Sequence, residues 1–299
     1  MSLKSVLTRI EGTEPVPKVL TDEQVLQYRA NGYLFPLDAL NGDEVVALRS
    51  QLAATESELG GALMAVEPKY RHNLHLLCPW MDTLVREPCI VDVIEDLLGP
   101  DILLYTSRFF IKGPVTEAFA AWHQDCTYFG LRPFDHVTAW VALSDVPLES
   151  GPVEFASGSH IRGPLNQRSK MVEGSVNTAG QSIVEWFDQS QTEFAVLKAG
   201  QFSLHHTCSV HQSGANKAAH NRTGVALSFI PTRVRTIGSV RMGATLIRGQ
   251  DSYRHLDHVL PPKTEFGSAE RDRHDISFKN YLENFNEQLA LHELNLPAT

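Results

Sequence analysis

The chain has 299 residues and a formal net charge of −9, with 42% apolar and 20% charged residues, which is typical of a globular protein with a sizeable core. It has no dense run of lysine and arginine, which argues against a nucleic-acid-binding protein. No apolar stretch approaches the roughly 20 residues that span a bilayer, and no signal-peptide core opens the chain, so we expect a cytoplasmic protein without membrane contacts.

The four cysteines, Cys78, Cys89, Cys126 and Cys208, are irregularly spaced and form no CxxC pair. This spacing argues against a zinc ribbon or a thioredoxin-like site, and it predicts free thiols in a reducing compartment. The sequence contains no internal repeat and no low-complexity tract. We expect one domain, with its parts divided as follows: a lead-in at 1–20, a helical part at 21–100, a β-core at 101–235 that includes a lid-like insertion at 160–192, and a C-terminal extension at 236–299.

The first regular element is predicted directly after the lead-in. Thr21 and Gln24 have the spacing of a capping box, in which each side chain bonds the other residue's backbone amide. The helix that they begin is expected to end at Gly32, and residues 33–35 then have the apolar composition of a short buried strand.

Two more helices are predicted in the N-terminal part. Asn41 and Glu44 form a second capping-box pattern, followed by apolar residues at helical spacing up to Gly60. A third helix is expected at Cys89–Leu98 and should stop at Gly99.

From about residue 102 the pattern changes to short strands separated by turn residues. The strands are expected at 102–112, 119–125, 136–143, 152–156, 194–197, 201–206 and 223–231. Residues 137–143 are apolar on both faces, which predicts a central strand, whereas 160–192 is polar and poor in strands, which is typical of a long loop over a site. The succession favours a mainly β sandwich or barrel with helices packed outside. One further helix is predicted from Phe278 to Leu289, with Phe278, Leu282, Phe285 and Leu289 on one face.

His123 and Asp125 are the first candidates for a metal site. Side chains two apart on a strand point to the same face, so both could reach one ion while Gln124 points away. Such a pair alone is also compatible with a simple surface hydrogen bond, but the apolar residues that flank it favour burial. Two imidazoles and one carboxylate bind Fe(II) on one side and leave other positions open.

Three histidines compete for the third ligand position, namely His205, His206 and His211. His211 lies two residues before Ser213 and eleven before Arg222, which opens the next apolar strand. A hairpin of this kind could direct His211 and Arg222 into one cavity, where the planar guanidinium would fit a carboxylate. We expect His205 and His206 to be core residues or to support the ligands.

Several stretches together resemble the phytanoyl-CoA dioxygenase (PhyH-like) family of Fe(II)- and 2-oxoglutarate-dependent oxygenases. They are Leu20–Val25 with Gly32-Tyr33, Trp122–Asp125, Val137–Trp140 with Gly151-Pro152 and Gly158–His160, and His211–Asn216 with Arg222. The resemblance covers roughly residues 20–250. It implies a double-stranded β-helix, which is a jelly-roll, cupin-like barrel.

The resemblance also implies roles for individual residues. His123, Asp125 and His211 would bind iron and form the catalytic centre, Arg222 would pair with the distal carboxylate of 2-oxoglutarate, and Ser213 would hydrogen-bond it. Further candidates for the co-substrate pocket lie on two strands: Thr138, Trp140, Tyr105 and Lys112. Tyr128, Phe129 and Arg132 are candidates for the border of the substrate site.

The reaction implied is hydroxylation of an unactivated C–H bond of a small molecule, with O2 consumed, 2-oxoglutarate converted to succinate and CO2, and ascorbate as the reductant in vitro. Because Asp125 keeps the carboxylate that related halogenases lack, hydroxylation is favoured over halogenation. Desaturation and demethylation stay open, as do a natural-product or acyl substrate. Two other hypotheses are a cupin-like protein that holds a metal without redox work and a barrel with a decayed site. The sequence does not specify the substrate or the oligomeric state.

Overall fold

The computed structural model describes residues 17–170, 173–177 and 180–294. The predicted lead-in therefore lies mostly outside the described residues. The described residues form six α-helices: α1 Asp22–Asn31, α2 Gly42–Glu58, α3 Pro79–Val85, α4 Pro88–Leu98, α5 Cys126–Phe129 and α6 Ser268–Leu294. They also form fifteen strands: β1 Tyr33–Asp38, β2 Ile102–Lys112, β3 Ala120–His123, β4 Leu131–Arg132, β5 Val137–Ala142, β6 Val153–Ala156, β7 Gln167–Ser169, β8 Gln181–Ile183, β9 Thr192–Phe194, β10 Gln201–His206, β11 His211–Ser213, β12 Arg222–Pro231, β13 Arg235–Thr236, β14 Gly243–Arg248 and β15 Asp257–His258.

Both predicted capping boxes are present. The Thr21 hydroxyl accepts a hydrogen bond from the Gln24 amide at 3.2 Å, and the Gln24 side chain accepts one from the Thr21 amide at 2.9 Å. Asn41 and Glu44 make the same reciprocal pair at the start of α2. Gly32 ends α1 with a φ of 82°, a left-handed conformation that glycine adopts without strain. Local sequence signals therefore place these helix starts correctly.

Two facing sheets form a jelly-roll barrel. The larger sheet has the strand order β1-β10-β5-β12-β2-β14-β15, and the smaller has the order β3-β11-β6-β9. β5 lies between β10 and β12, which confirms the prediction of a central strand. The outer face of the larger sheet packs on the N-terminal helices through a continuous apolar core. Its inner face is turned toward the smaller sheet, and this is where a cavity forms.

Three strand predictions need correction. β3 ends at His123, so Asp125 is not in a strand. The strand expected at 194–197 is instead Thr192–Phe194, paired with β6. The insertion at 160–192 contains two short paired strands, β7 and β8. The latter strands were missed because each is only three residues long and lacks a run of apolar side chains.

The C-terminal extension is more structured than its sequence indicates. β14 adds to the larger sheet beside β2, and α6 is longer than predicted at both ends. Phe285 is buried as predicted, but Leu282 is 38% exposed, because the buried side of α6 passes through Tyr281 and Phe285. None of the described helices is both long and apolar enough to cross a bilayer.

Candidate metal centre and co-substrate pocket

Two strands of the smaller sheet bring the predicted histidines together. His211 on β11 is the register partner of His123 on β3, and their ring centroids are 4.1 Å apart. One potential ligand atom from each of His123, Asp125 and His211 lies within 4.8 Å of the others. The structure thus joins three side chains that are up to 88 residues apart in sequence, at a separation suited to one ion.

Asp125 reaches this site from a turn. It is the N-cap of α5, with φ −77° and ψ −32°, and its amide donates to the Thr207 carbonyl at 3.2 Å. Gln124 points away from the site, as predicted, and its side-chain amide donates to the Cys208 carbonyl at 2.6 Å. The turn is therefore held by the segment that joins β10 to β11, the same segment that leads to His211.

Both histidines are oriented by backbone carbonyls. The Nδ1 of His123 lies 2.7 Å from the Ala121 carbonyl, and the Nδ1 of His211 lies 3.0 Å from the Ser209 carbonyl. Because a carbonyl can only accept, Nδ1 carries the proton in each ring, and Nε2 keeps the lone pair that a metal needs. This arrangement fixes the metal-binding tautomer before any ion arrives.

The charge states also suit a metal. Burial, followed by the charge of His123, lowers the pKa of His211 to about 3, and burial likewise lowers the pKa of His123. Burial alone would raise the pKa of Asp125, but the hydrogen bond from His205 and the nearby imidazoles outweigh it, so that pKa falls well below its usual value. Neutral imidazoles and an ionised carboxylate are the forms that bind divalent iron.

The other two histidines that competed for the third position have different contacts. The Nε2 of His205 lies 3.4 Å from the second oxygen of Asp125, so His205 is placed to orient that carboxylate. His206 accepts a hydrogen bond from the Cys208 amide at 3.1 Å and does not line the cavity. The geometry therefore favours His211 as the third ligand.

Two buried basic side chains lie behind the three candidate ligands. Arg222 on β12 and Lys112 on β2 are direct register partners, and they are 2% and 1% exposed. Neither forms an ion pair with a carboxylate in the described part of the chain. Because a buried charge is costly unless it is paired, the Arg222 guanidinium with the Lys112 amine beside it makes a site for an anion that none of the described residues supplies.

Ser213 connects the two basic side chains. The Arg222 guanidinium donates to the Ser213 hydroxyl at 3.1 Å and to the Gly151 carbonyl at 2.8 Å, and Lys112 donates to the same hydroxyl and to the Gly214 carbonyl. The Nε atom of Arg222 is buried without a hydrogen-bond partner. Burial lowers the pKa of Arg222 to about 10, and burial together with the charge of Arg222 lowers that of Lys112 to about 6.

Trp140 covers Arg222 from β5. The centroid of its ring lies 5.2 Å from the Arg222 guanidinium carbon, within the range of a cation–π contact. The ring crosses β12 above Gly224, where an added Cβ would be 2.0 Å from the indole. Glycine at position 224 is therefore what allows Trp140 to reach Arg222.

The cavity between the sheets has about 960 Å³ of empty space, its open mouth included. The three candidate ligands line it, as do the predicted residues Arg222, Ser213, Thr138 and Trp140. Lys112 lies directly behind Ser213.

Tyr105 does not line the cavity. It lies seven residues before Lys112 on β2, and its hydroxyl donates to the Phe129 carbonyl at 3.2 Å within a separate apolar cluster. Residues an odd number apart on a regular strand face opposite sides, so Tyr105 and Lys112 could not both point inward. Of the residues predicted to border the substrate, Tyr128 and Phe129 line the cavity and Arg132 does not.

Most of the far wall of the cavity was not assigned from the sequence. That wall is built by these residues: His72, Arg108, Phe110, Asn177, Gln181, Tyr281 and Phe285. Of these residues, Arg108 and Phe110 could have been found from the strand pattern, because they alternate with apolar residues on β2 and lie on the same face as Lys112.

The site has the two-histidine, one-carboxylate arrangement with open positions that characterises non-haem iron oxygenases. The sequence matches the family described as phytanoyl-CoA dioxygenase (PhyH) over residues 28–224. That match covers well over half of the chain, so the protein belongs to the phytanoyl-CoA dioxygenase family.

Named relatives in the same family are distant. The chain is 28% identical over 159 residues to the probable alpha-ketoglutarate-dependent hypophosphite dioxygenase of Stutzerimonas stutzeri. This alignment covers 52% of this chain and only 55% of that protein. It is 26% identical over 231 residues to the L-proline trans-4-hydroxylase of Streptomyces griseoviridis, covering 70% of this chain and 86% of that one. Alpha-ketoglutarate is another name for 2-oxoglutarate.

Solved structures agree with the fold. The apo form of the non-heme monooxygenase ThoJ superposes with a TM-score of 0.78 and 29% identity, covering 89% of this chain and 99% of that one. CytC3 with Fe(II) and alpha-ketoglutarate superposes with a TM-score of 0.61 and 21% identity, covering 80% and 93% of the respective chains. The latter likeness supports the jelly-roll fold alone.

Proposed function

We propose that this protein is an Fe(II)- and 2-oxoglutarate-dependent dioxygenase that hydroxylates an unactivated C–H bond of a small molecule. The observation that carries this proposal is the buried pair Arg222 and Lys112, placed behind a two-histidine, one-carboxylate site. A cupin-like protein that held a metal without redox work would have no use for this buried anion site. We further propose that residues 1–299 act as one oxygenase domain.

His123, Asp125 and His211 would hold the iron. The carbonyls of Ala121 and Ser209 keep each imidazole in the binding tautomer, and His205 orients the carboxylate. When bound, Fe(II) with 2-oxoglutarate and O2 supplies the oxidising power for C–H hydroxylation, and the co-substrate leaves as succinate and CO2.

Arg222 and Ser213 would bind the distal carboxylate of 2-oxoglutarate. The free Nε atom and the terminal nitrogens of Arg222 offer a planar fork, and Lys112 adds a second positive charge within reach of the same hydroxyl. This anchor would direct the other end of the molecule toward the three metal ligands. Thr138 and Trp140 would form the adjoining walls, and Trp140 would keep water from the cation pair.

Asp125 bears on the type of reaction. Its pKa is lowered and His205 lies 3.4 Å from one of its oxygens, so the ionised carboxylate would serve as an iron ligand where a halide would otherwise bind. This favours oxygen transfer over halogenation. Whether the product is hydroxylated, desaturated or demethylated would follow from the substrate bond that faces the iron.

The test is succinate formation by purified protein with Fe(II), ascorbate and 2-oxoglutarate, followed with and without a small-molecule library. We expect slow basal succinate formation, its stimulation by a substrate, and a visible charge-transfer band on anaerobic mixing with Fe(II) and 2-oxoglutarate. His211→Ala should remove all three signals. His220→Ala is the matched control, since His220 bonds the Asp145 carbonyl outside the cavity and should change nothing. An unchanged rate in His211→Ala would remove His211 from the site, and the lack of the band in the unaltered protein would refute the proposal.

A further inference from the structure

His72 is a buried polar residue in the far wall of the cavity, with 6% of its surface exposed. It lies in the segment between α2 and α3, and this segment forms a β-bridge to Arg108 of β2. β14 pairs with β2 only as far as Leu104, so the segment with His72 lies beside β2 where β14 no longer does. The larger sheet therefore sets the position of His72.

The backbone at His72 is fixed by hydrogen bonds from two directions. The Asn73 amide donates to the Ser107 carbonyl at 2.8 Å, and the Asn73 side chain accepts from the Ser107 amide at 2.9 Å. From α6, the Nε2 of His274 donates to the His72 carbonyl at 2.8 Å. The His72 ring packs on Tyr281, with centroids 4.7 Å apart. These contacts place the imidazole before any ligand binds.

The His72 imidazole forms no hydrogen bond with any residue that the structure describes. Burial, followed by the charges of Arg108 and Arg71, holds the pKa of His72 well below its usual value, so the ring is neutral at neutral pH. A neutral imidazole has one N–H donor and one acceptor nitrogen. A ligand that excludes water from the cavity without bonding these nitrogens therefore binds less tightly.

Neighbouring polar side chains that line the cavity already have partners in the protein. Arg108 donates to the Val176 carbonyl at 3.3 Å and interacts electrostatically with Asp125. The Thr106 hydroxyl donates to the Asn73 side chain at 2.9 Å. In contrast, a ligand that bonds the imidazole of His72 displaces no hydrogen bond within the described part of the chain.

The surface beside His72 is aromatic. Tyr128 of α5 stacks on Phe285 of α6 with centroids 5.2 Å apart, and Tyr281 lies 6.1 Å from Phe285. Phe110 of β2 lines the same cavity. Aromatic faces of this kind bury an apolar or flat body without requiring further hydrogen bonds.

We propose that His72 binds the primary substrate, whose hydroxyl or amide group hydrogen-bonds the imidazole and whose ring or apolar body packs on Tyr281 and Phe285. A hydroxyl or a primary amide both donates and accepts, so it can bond whichever ring nitrogen faces it. A carboxylate only accepts and an ammonium group only donates, so neither has this freedom. This inference rests on the proposed function, because it concerns the part of the cavity beyond the proposed 2-oxoglutarate site.

The test compares polar probes with hydrocarbons of the same shape. Protein loaded anaerobically with Fe(II) and saturating 2-oxoglutarate is dialysed to equilibrium with 2-phenylethanol, 4-ethylphenol or 3-phenylpropanamide, and with propylbenzene, 4-ethyltoluene or isopentylbenzene as their respective counterparts. His72→Phe keeps a ring against Tyr281 and removes both nitrogens. We expect it to weaken at least one polar probe about tenfold, which corresponds to the loss of one buried hydrogen bond, and to leave the matching hydrocarbon within about twofold.

Two further variants separate the hydrogen bond from packing. His72→Gln keeps a donor and an acceptor and should retain part of the affinity for the polar probe. His220→Phe makes the same replacement at a histidine outside the cavity and should change no affinity. Unchanged 2-oxoglutarate binding by His72→Phe shows that this variant is folded.

The inference is overturned if no polar probe binds the unaltered protein, or if His72→Phe weakens a polar probe no more than its hydrocarbon. Failure of 2-oxoglutarate itself to bind the unaltered protein would instead refute the proposed oxygenase function.

Discussion

Replacing Lys112 by methionine tests whether Lys112, beside Arg222, takes up a proton when 2-oxoglutarate binds. Lys112 is 1% exposed, and burial together with Arg222 brings its pKa to about 6. At pH 7.5 only about 3% of this side chain would be protonated in the protein without co-substrate. A carboxylate bound beside it restores the charged form, so binding should take up close to one proton per molecule.

The direction of the pH dependence follows from the same shift. Because 2-oxoglutarate favours the protonated amine, its affinity is highest at and below about pH 6 and falls as the pH rises toward the pKa of Lys112 in the complex. The slope is at most about tenfold in affinity per pH unit, since one proton is coupled to one binding event.

Calorimetry in phosphate and in Tris at pH 7.5 measures this proton uptake, because the two buffers release protons with very different heats. The titrations are made anaerobically with Fe(II) present. Lys112→Met should reduce the uptake to nearly zero and make the affinity almost independent of pH between 6.5 and 8.5. Equal uptake by Lys112→Met and the unaltered protein would show that the proton goes elsewhere and that Lys112 does not face the co-substrate.

Two other substitutions test the same pocket. Arg222→Gln should weaken 2-oxoglutarate binding by about a hundredfold or more while leaving metal binding intact, because it leaves a buried carboxylate without its partner. Calorimetry measures this loss, and Arg222→Lys should restore part of the affinity. An unchanged affinity in Arg222→Gln would contradict the role proposed for Arg222. Gly224→Ala places a Cβ 2.0 Å from the Trp140 ring. We therefore expect the free energy of unfolding to fall by roughly 1–3 kcal/mol, the melting temperature to fall with it, and 2-oxoglutarate to bind more weakly. Gly113→Ala is its control, since a Cβ there meets nothing within 4 Å, and equal behaviour of the two variants would refute the packing argument.

The parts of the fold that sequence predicted well are those set by nearby residues. Thr21 and Asn41 begin helices because their side chains bond amides two or three residues away, and that chemistry is visible in the sequence. The long apolar strands β2, β5 and β12 were placed within a residue or two of their bounds for the same reason. The short strands β7 and β8 depend on each other for pairing, and their sequences alone do not specify it.

The convergence of His123, Asp125 and His211 was also predictable, but its geometry was not. The spacing of His123 and Asp125 suggested a shared strand face, whereas Asp125 lies in a turn that the Thr207 carbonyl fixes from another part of the chain. The face on which Tyr105 lies could not be told from composition, because β2 has bulky residues on both sides. A register shift between β2 and β12 at this point adds to the difficulty. Tyr281 was missed because it reaches the cavity only through tertiary packing.

The two ends of the cavity are built by different parts of the chain. The candidate metal site and Arg222 lie within residues 28–224, which the family match covers, whereas Tyr281 and Phe285 belong to α6, more than 50 residues beyond that match. Exchanging α6 for a helix with other side chains would reshape the far wall of the cavity while leaving the candidate metal site unchanged. Variation in this one C-terminal helix can therefore change which molecules fit the cavity without changing the residues at its other end.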